Sequence, residues 1–423
     1  MLKWIASSIL LTTTQLFLNA QYCIENRFTE LDLFTSDDIV IQNNIMYGLA
    51  DDWYGGYMQP QLNSFNIAYP DPAIDTLEKR PLVLLAHGGG FWGGEKENLD
   101  DIILSLAQKG FVAVTLNYRK GWDSFGDPIY CLGDGESLAE AIYKSMQDIQ
   151  ACFRFVVANA ASYGIDTAWI FAGGESAGVF ALFNSIFISQ EEWNLLYPTH
   201  ELMYGSLYDA VNEIETNFSV KGFINMWGGI LDTAHMQVAQ LKPLISFYGT
   251  DDKIVPPYSG HFQDCENYTF IYGSASLNDY YDHYNVCNVL HAREGFGHEI
   301  YDHDYVVGNS ACFMRSLLCD ECENYEVEYM EADCQTAQET EIQNNLIDGL
   351  AVYPNPANNF VMINCPGSEN EIILYNFSGA IMDVQFAKNN DAFILNTSEL
   401  PDGIYFFSIR GKIVQTGRFI IVN

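Results

Sequence analysis

The chain has 423 residues, of which 48% are hydrophobic and 14% aromatic, and its 55 acidic and 19 basic residues give a formal net charge of −36. This length and apolar content predict one large domain with a buried core plus a small one, and they exclude a disordered or fibrous protein. The acidic balance argues against nucleic acid as a partner, because such a surface repels phosphate backbones, and it favours a soluble, solvated surface.

The first 20 residues predict a secretory signal peptide. Lys3 supplies a positive start, residues 5–18 are mostly apolar, and cleavage is expected after Ala20. The apolar stretch is short for a membrane span, so no transmembrane segment is expected in the mature protein. Cys23 lacks the small-residue context of a lipidation site. The sequence therefore predicts an exported, soluble protein.

Ten cysteines in an exported chain predict disulfides. Two local bridges are expected, Cys265 with Cys287 and Cys131 with Cys152, and two more within the cluster of cysteines at positions 312, 319, 322 and 334. A zinc site at Cys-x-x-Cys of residues 319–322 is the alternative, but no second pair follows at the spacing of a zinc finger. We expect no metal and no other cofactor.

Strands and helices alternate along the first three quarters of the chain. The predicted strands are 62–69 (an edge strand), 81–86, 111–116, 168–172, 220–226, 243–248 and 289–293, and the two long predicted helices are 101–109 and 137–161. This rhythm is typical of an α/β protein with a mostly parallel sheet and helices on both faces.

Two segments break the alternation. Residues 190–217 are rich in aromatic side chains and follow the helix after residue 176, so they predict a cap or cleft wall, or simply a packed cap. Residues 335–347 are polar and predict a linker between a domain at 21–334 and one at 348–423. The last segment has short alternating runs separated by turns, which predicts a small β-sandwich without evident chemistry.

The most informative motif is Gly-Glu-Ser-Ala-Gly at residues 174–178, directly after a predicted strand. A serine at a tight strand-to-helix turn needs neighbours with almost no side chain, and this spacing meets that need. The motif alone could be a glycine-rich turn. Its context favours Ser176 as a nucleophile.

Further candidates follow in the order that a catalytic triad requires. A buried strand runs into His-Gly-Gly-Gly at residues 87–90, and an acid candidate (Asp251 or Asp252) and then His298 come after Ser176. A serine hydroxyl needs a base to take its proton, and the base needs an acid to orient it. His298 is the expected base, and His303 is the alternative.

Residues 43–322 resemble the esterase and lipase branch of the α/β-hydrolases with a His-Gly-Gly-Gly loop, which includes hormone-sensitive-lipase-like and bacterial feruloyl-esterase-like enzymes. The motifs that carry the resemblance are at 87–90, 117–119, 163–166, 174–178, 249–256 and 295–298. Glu175 is more typical of the larger type-B carboxylesterases. The resemblance implies an α/β-hydrolase fold, and it favours Asp252 over Asp251 as the acid because Asp252 lies four residues before Pro256.

The expected oxyanion hole consists of the backbone N–H groups of Gly89, Gly90 and Ala177, since small residues let the main chain approach a substrate. His87 is expected to hold this loop through hydrogen bonds. His291 lies in a predicted strand and is expected to be a core residue.

The final seventy-odd residues resemble the C-terminal sorting domain read by the type IX secretion system of certain Gram-negative bacteria. Tyr-Pro-Asn-Pro-Ala at 353–357, Leu-Pro-Asp-Gly-Ile-Tyr at 400–405 and the segment 411–423 carry this resemblance. It implies the secretion machinery as a partner and a location outside the cell or on its outer surface. Removal of this domain would leave nine cysteines, one of them unpaired.

These observations predict a secreted serine carboxylic-ester hydrolase that acts through Ser176, His298 and Asp252. Its expected substrates are short acyl or aryl esters such as those on polysaccharides, and its activity should fall as the pH drops and the base becomes protonated. A serine peptidase of the same fold and a catalytically inactive adhesin are the competing hypotheses.

Overall fold

The structure is a computed structural model that describes residues 20–23, 26–54, 57–124, 131–330, 332, 334, 351–353, 357–364, 371–376, 381–382, 384–389, 392–398, 400–401, 403–410 and 415–421. The predicted signal peptide, except Ala20, and the predicted linker 335–347 lie outside the described residues. The chain divides into two compact units, Met1–Gln338 and Glu339–Asn423.

A nine-stranded sheet organises the first unit. The strands of this unit are β1 (Ile39–Tyr54), β2 (Tyr57–Pro70), β3 (Arg80–Ala86), β4 (Val112–Leu116), β5 (Ile165–Glu175), β6 (Val220–Met226), β7 (Gly229–Ile230), β8 (Leu244–Gly249), β9 (Ser259–His261), β10 (Phe270–Gly273), β11 (Asn288–Arg293) and β12 (Tyr325–Val327). The large sheet has the order β1-β2-β4-β3-β5-β6-β8-β11-β12, and β7, β10 and β9 form a small second sheet. β2 runs antiparallel to β1 and β4, whereas the other neighbours pair parallel. This is the α/β-hydrolase fold, as predicted.

Helices cover both faces of the large sheet. They are α1 (Asp100–Gln108), α2 (Gly135–Ala158), α3 (Ala160–Tyr163), α4 (Ala177–Phe187), α5 (Gln190–Leu196), α6 (His200–Tyr204), α7 (Ser274–His283) and α8 (His303–Leu318), with short 3-10 turns at Ala20–Tyr22, Ser36–Asp38, Lys96–Leu99, Thr233–His235, Val238–Gln240 and Phe262–Asp264. α2 and α4 pack together over one hydrophobic core, and α1 and α8 pack together over the other. Among the described residues, no helix is long and apolar enough to cross a membrane.

Local sequence explains where the main helices begin. The Asp134 carboxylate accepts hydrogen bonds from the N–H groups of Glu136 and Ser137 at the start of α2. Asp302 does the same for Tyr305 at the start of α8. Such caps satisfy N–H groups that the first turn of a helix leaves without intrahelical partners. β3 is buried along its whole length, as a central parallel strand requires.

The edge of the sheet differs from the prediction. Residues 62–69 belong to β2, which is an inner strand because β1 pairs along its outer side. β1 was not predicted as a strand. Ile41, Met46 and Leu49 of β1 are exposed to solvent although they are apolar. The alternation of apolar and polar residues that indicates a strand is therefore weak in this segment.

The disulfide predictions are largely wrong. The structure pairs Cys23 with Cys319, Cys131 with Cys265, Cys287 with Cys322 and Cys312 with Cys334. Only the Cys312–Cys334 bridge lies within the predicted cluster, and both cysteines of the alternative zinc motif are in bridges.

The predicted Cys131–Cys152 bridge fails for a physical reason. Cys152 lies inside α2 on its buried face, and it is the free cysteine among the described residues. Its side chain therefore packs in the core, while Cys131 reaches a loop 134 positions away. The spacing of cysteines along the sequence does not indicate which distant cysteines pair.

The second unit is a small β-sandwich. Its strands are β13 (Ala351–Tyr353), β14 (Phe360–Asn364), β15 (Glu371–Asn376), β16 (Ile381–Met382), β17 (Phe386–Asn389), β18 (Ala392–Asn396), β19 (Gly403–Arg410) and β20 (Gln415–Ile421). They form two four-stranded antiparallel sheets, β13-β14-β18-β17 and β16-β15-β19-β20. One shared hydrophobic core includes Val361 and Leu395 from the first sheet and Phe407 and Phe419 from the second.

Candidate active site

Ser176 occupies a sharp turn between β5 and α4. Its backbone has φ 47° and ψ −117°, a conformation that residues other than glycine rarely adopt. Its N–H donates to the carbonyl of Met226 at the end of β6, at 2.9 Å. The turn therefore places the serine hydroxyl at the carboxyl edge of the parallel strands.

The glycines of the motif allow the turn to pack against the end of β3. A Cβ atom on Gly174 would lie 2.3 Å from the carbonyl oxygen of Ala86, and one on Gly178 would lie 2.2 Å from the same atom. Both distances are far below van der Waals contact. The Gly-x-Ser-x-Gly spacing is thus a packing requirement of this turn.

His298 contacts both Ser176 and Asp252. Its Nε2 lies 2.9 Å from Ser176 Oγ, and its Nδ1 lies 2.7 Å from Asp252 Oδ2. Because a carboxylate only accepts hydrogen bonds, Nδ1 carries the proton and Nε2 presents its lone pair to the serine hydroxyl. The geometry is that of a serine, a base and an orienting acid.

The two aspartates of the acid loop have different surroundings. Asp252 is buried, and its Oδ1 accepts hydrogen bonds from the N–H groups of Ile254 and Val255, at 2.8 and 3.0 Å. Asp251 is exposed, and its N–H donates to the carbonyl of Phe296. The structure therefore brings Asp252, and not Asp251, to His298.

The predicted oxyanion loop lies beside the serine. A Cβ atom on Gly88 would lie 3.5 Å from Ser176 Cβ, so the loop passes directly over this side chain. Gly89 and Gly90 both have positive φ, at 114° and 60°. Within the described part of the chain, no acceptor pairs with the N–H groups of Gly89, Gly90 or Ala177. These donors are available to a ligand.

The segment after β4 clamps this loop in place. The Tyr118 hydroxyl donates to the carbonyl of His87 at 2.7 Å, and the N–H groups of Gly121 and Trp122 both donate to the carbonyl of Phe91. The Lys120 ammonium donates to the carbonyl of Gly94. Lys120 was not predicted from the sequence, although its position just beyond the end of β4 was a usable signal.

His87 and His291 are buried histidines with packing contacts. His87 donates from Nδ1 to the carbonyl of Gly88 at 2.6 Å and stacks on Tyr118, so it holds the loop as expected. Burial lowers the pKa of His87 to about 4 and that of His291 to about 3. Both side chains are therefore neutral at ordinary pH, and His291 is a core residue.

Trp227 adds an unsatisfied donor next to His298. Its indole lies edge-on to the imidazole, with ring centroids 6.5 Å apart, and its backbone has φ 45°. The indole N–H is buried and has no partner among the described residues. Strained backbone and unpaired donors of this kind cluster at functional sites.

His303 does not contact Ser176 in the way the alternative assignment requires. Its Nε2 lies 3.6 Å from Glu175 Oε1, the residue before the serine. This ion pair was not foreseen, because the two residues are 128 positions apart in the sequence.

The aromatic insertion 190–217 packs on α2 and β1. Trp193 has 0% of its surface exposed and lies against Tyr143 and Tyr197, with ring centroids 5.4 and 5.1 Å apart. Trp193 therefore has no exposed face on which a substrate ring could stack. None of the contacts described for this segment reaches Ser176 or His298, so a role as a cap stays a prediction.

Glu136, Glu140 and His200 lie close enough together to suggest a cation site. However, the Trp193 indole N–H donates to His200 Nδ1 at 3.2 Å, which fixes the proton on Nε2, where it faces Glu136 at 3.4 Å. A metal ion bound at Nε2 would require the proton to be on Nδ1. There it would face the Trp193 indole N–H, so two donors would meet with no acceptor between them. This cluster is a hydrogen-bonded packing site.

Residues 351–423 match the family described as secretion system C-terminal sorting domains. This match confirms the predicted sorting domain, and it identifies the protein as one that is secreted or attached to the cell surface.

Two curated relatives match part of the chain. Neuroligin-2 of Mus musculus is 34% identical over 109 residues, which is 26% of this chain and 12% of that protein. Fumonisin B1 esterase of Sphingopyxis macrogoltabida is 34% identical over 102 residues, which is 24% of this chain and 19% of that protein. The chain thus spans less than a fifth of the length of each relative.

Solved structures similar to this chain include two esterases. Esterase B from Lactobacillus Rhamnosis, inhibited by a C4-C4 SN3 tributyrin phosphonate, is 15% identical with a TM-score of 0.42, covering 76% of this chain and 96% of that one. Thermogutta terrifontis esterase 2, phosphoramylated by tabun, is 16% identical with a TM-score of 0.37, covering 63% and 86%.

Proposed function

We propose that the protein is a secreted serine carboxylic-ester hydrolase. The observation that carries this proposal is the hydrogen-bonded series from Ser176 through His298 to Asp252, at 2.9 and 2.7 Å. It lies at the carboxyl edge of the sheet beside backbone N–H groups that have no acceptor among the described residues. These are the parts that acyl transfer needs: a nucleophile, a base and donors for an oxyanion.

In the proposed reaction, Ser176 Oγ attacks the ester carbonyl and its proton passes to His298 Nε2. The Asp252 carboxylate holds the imidazole in the required tautomer and stabilises the imidazolium. The tetrahedral intermediate collapses to an acyl-enzyme as the leaving alcohol takes the proton from Nε2. A water molecule then repeats the sequence and releases the acid.

The N–H groups of Gly89, Gly90 and Ala177 are the proposed donors to the oxyanion. Loss of one such donor typically costs roughly 3 kcal/mol of barrier. The Tyr118 and Lys120 contacts support this role, because they fix the backbone of the loop before a substrate arrives.

We propose short acyl or aryl esters, such as those on polysaccharides, as substrates. An exported enzyme meets polymers that are too large to import. Trp92 supports the recognition of an aryl or sugar ring. It is 53% exposed and lies beside Gly90 of the proposed oxyanion loop, since a Cβ atom on Gly90 would be 3.1 Å from the Trp92 indole nitrogen. Trp193 cannot contact a substrate ring in this way, because it is buried.

The sorting domain is the proposed address for the type IX secretion machinery, which would carry the hydrolase across the outer membrane of a Gram-negative cell. A serine peptidase of the same fold remains the second candidate, because the same catalytic residues cleave amides.

A fluorophosphonate probe tests the proposal, together with turnover of p-nitrophenyl acetate, butyrate and palmitate, methyl ferulate, acetylated xylan and an amide. We expect labelling and short-ester turnover in the wild type, and loss of both in Ser176→Ala and His298→Ala without unfolding. Absence of labelling would favour an inactive scaffold, and amide turnover a peptidase. Faster turnover of palmitate would indicate a lipase.

A further inference from the structure

One ion pair joins the two segments whose side chains meet at the proposed active site. Glu175 is the last residue of β5 and precedes Ser176, while His303 is the first residue of α8, five positions after His298. Their carboxylate and imidazole lie 3.6 Å apart, and the side chains are 15% and 42% exposed.

We propose that His303, through its ion pair with Glu175, is a positioning residue that holds the His298 loop against Ser176 and offsets the charge of the Glu175 carboxylate. This inference rests on the proposed esterase function. It assigns a role to the histidine that the sequence suggested only as an alternative base.

The loop that carries His298 is held at several points. A Cβ atom on Gly295 or Gly297 would meet nothing within 4 Å, but the carbonyls of Phe296 and Gly297 pack against Gly249, and the Arg293 guanidinium donates to the Ile300 carbonyl at 3.0 Å. Its first half is tied to the acid loop, where the Gly295 N–H donates to Thr250 Oγ1 at 2.8 Å and the Asp251 N–H donates to the Phe296 carbonyl. The pair of His303 with Glu175 ties the far end to the serine turn.

Charge supplies the second part of the argument. Glu175 directly precedes Ser176, whose Oγ would be bonded to the substrate carbon that carries the oxyanion, and a like charge near that oxyanion raises the energy of the intermediate. A protonated His303 beside Glu175 reduces this repulsion.

The surroundings of His303 favour its protonated form. The Glu175 carboxylate raises the pKa of the imidazole above its ordinary value against the opposing effect of partial burial, and Asp101 of α1 and Asp304 of α8 add to the increase. Where the Glu175 carboxyl is ionised, the charged pair is present below the raised pKa of His303 and is lost as the pH rises through that pKa. Activity should therefore decline on the alkaline side.

A double-mutant cycle on the full chain tests this role. The variants are Glu175→Gln, His303→Gln and the two combined, with His303→Lys to restore the charge and His283→Gln, at an exposed position at the end of α7, as the matched control. For each, kcat and KM for p-nitrophenyl acetate are measured across the pH range, together with the melting temperature.

We expect His303→Gln to lower kcat about tenfold with little change in KM, and to have almost no further effect in the Glu175→Gln background. His303→Lys should recover most of kcat and remove the alkaline decline, and His283→Gln should match the wild type.

The inference would be overturned if His303→Gln lowered kcat equally in the wild-type and Glu175→Gln backgrounds, or if it left kcat unchanged. It would also be overturned if the loss of kcat among the variants were explained by their lower melting temperatures alone. Fluorophosphonate labelling of wild-type Ser176 separates these results from failure of the esterase proposal.

Discussion

Polar groups are buried both around the serine turn and in the aromatic insertion 190–217. The two regions differ in whether these groups have hydrogen-bond partners. Around the turn, Ser176 and Trp227 have positive φ, and the Trp227 indole N–H has no partner among the described residues. In the insertion, the Trp193 indole N–H donates to His200, and Gln147 from α2 donates to the carbonyls of residues 204–206.

This difference separates the region of the proposed active site from a region whose polar groups are paired within a packed cluster. Strained backbone and unsatisfied buried donors each cost stability, so they persist only where the surrounding structure enforces them. A fully paired aromatic cluster needs no such explanation. Aromatic content alone, which made the insertion a candidate substrate wall, does not distinguish the two cases.

The largest expected effect concerns the acid loop. Asp252→Asn should lower kcat/KM about 10⁴-fold, because an amide can donate to His298 Nδ1 and so favours the wrong tautomer. Asp251→Asn, at the exposed neighbouring position, is the matched control and should stay near the wild type. Esterase kinetics at constant pH measure both. The reverse ranking would show that the acid is Asp251.

A second substitution tests whether the turn is a packing requirement. Gly178→Ala would place a methyl carbon 2.2 Å from the Ala86 carbonyl oxygen, so we expect destabilisation of about 5 kcal/mol or more, or failure to fold. Ala181→Gly, later in the same helix and also buried, should cost only about 2 kcal/mol, through helix propensity and the loss of one buried methyl group. Urea unfolding measures the difference. Equal stabilities would contradict the close packing of the turn on β3.

The third prediction concerns the insertion. Trp193→Ala should reduce the free energy of unfolding by about 3 to 5 kcal/mol, because it empties a fully buried aromatic site. At temperatures where the variant is folded, its KM and kcat should equal those of the wild type. Tyr208→Ala, which is 49% exposed in the same segment, should change stability by at most about 0.5 kcal/mol. A raised KM without lost stability would make the insertion part of the site.

Features whose signal is local in the sequence were predictable. The turn at Ser176 and the loop at 87–90 were predicted as parts of a candidate site because such a turn and such a loop require small residues at consecutive positions, and this requirement is visible locally. His298 and Asp252 followed from chain order and from a family resemblance. The α/β alternation predicted most strands for the same local reason.

What was missed depends on contacts between distant residues. The status of β2 as an inner strand follows from the pairing of β1, which local alternation does not show. The disulfides of Cys23 and Cys131 close separations of 296 and 134 residues, and the ion pair of His303 with Glu175 is similarly remote. Only the folded sheet brings such partners together.

The smallest effect on activity is expected from removal of the sorting domain. Ser176, Asp252 and His298 and the loop at 87–90 all lie in the first unit, and the last disulfide of this unit ends at Cys334. A chain truncated after Asn345 should therefore keep the kcat, KM and melting temperature of the hydrolase unit. In the native host it should remain in the periplasm, because the address for export is gone. Assays of purified protein and of periplasmic and external fractions measure both outcomes. Loss of activity with an unchanged melting temperature would mean that the C-terminal unit contributes to the site, and export of the truncated chain would contradict its role as the address.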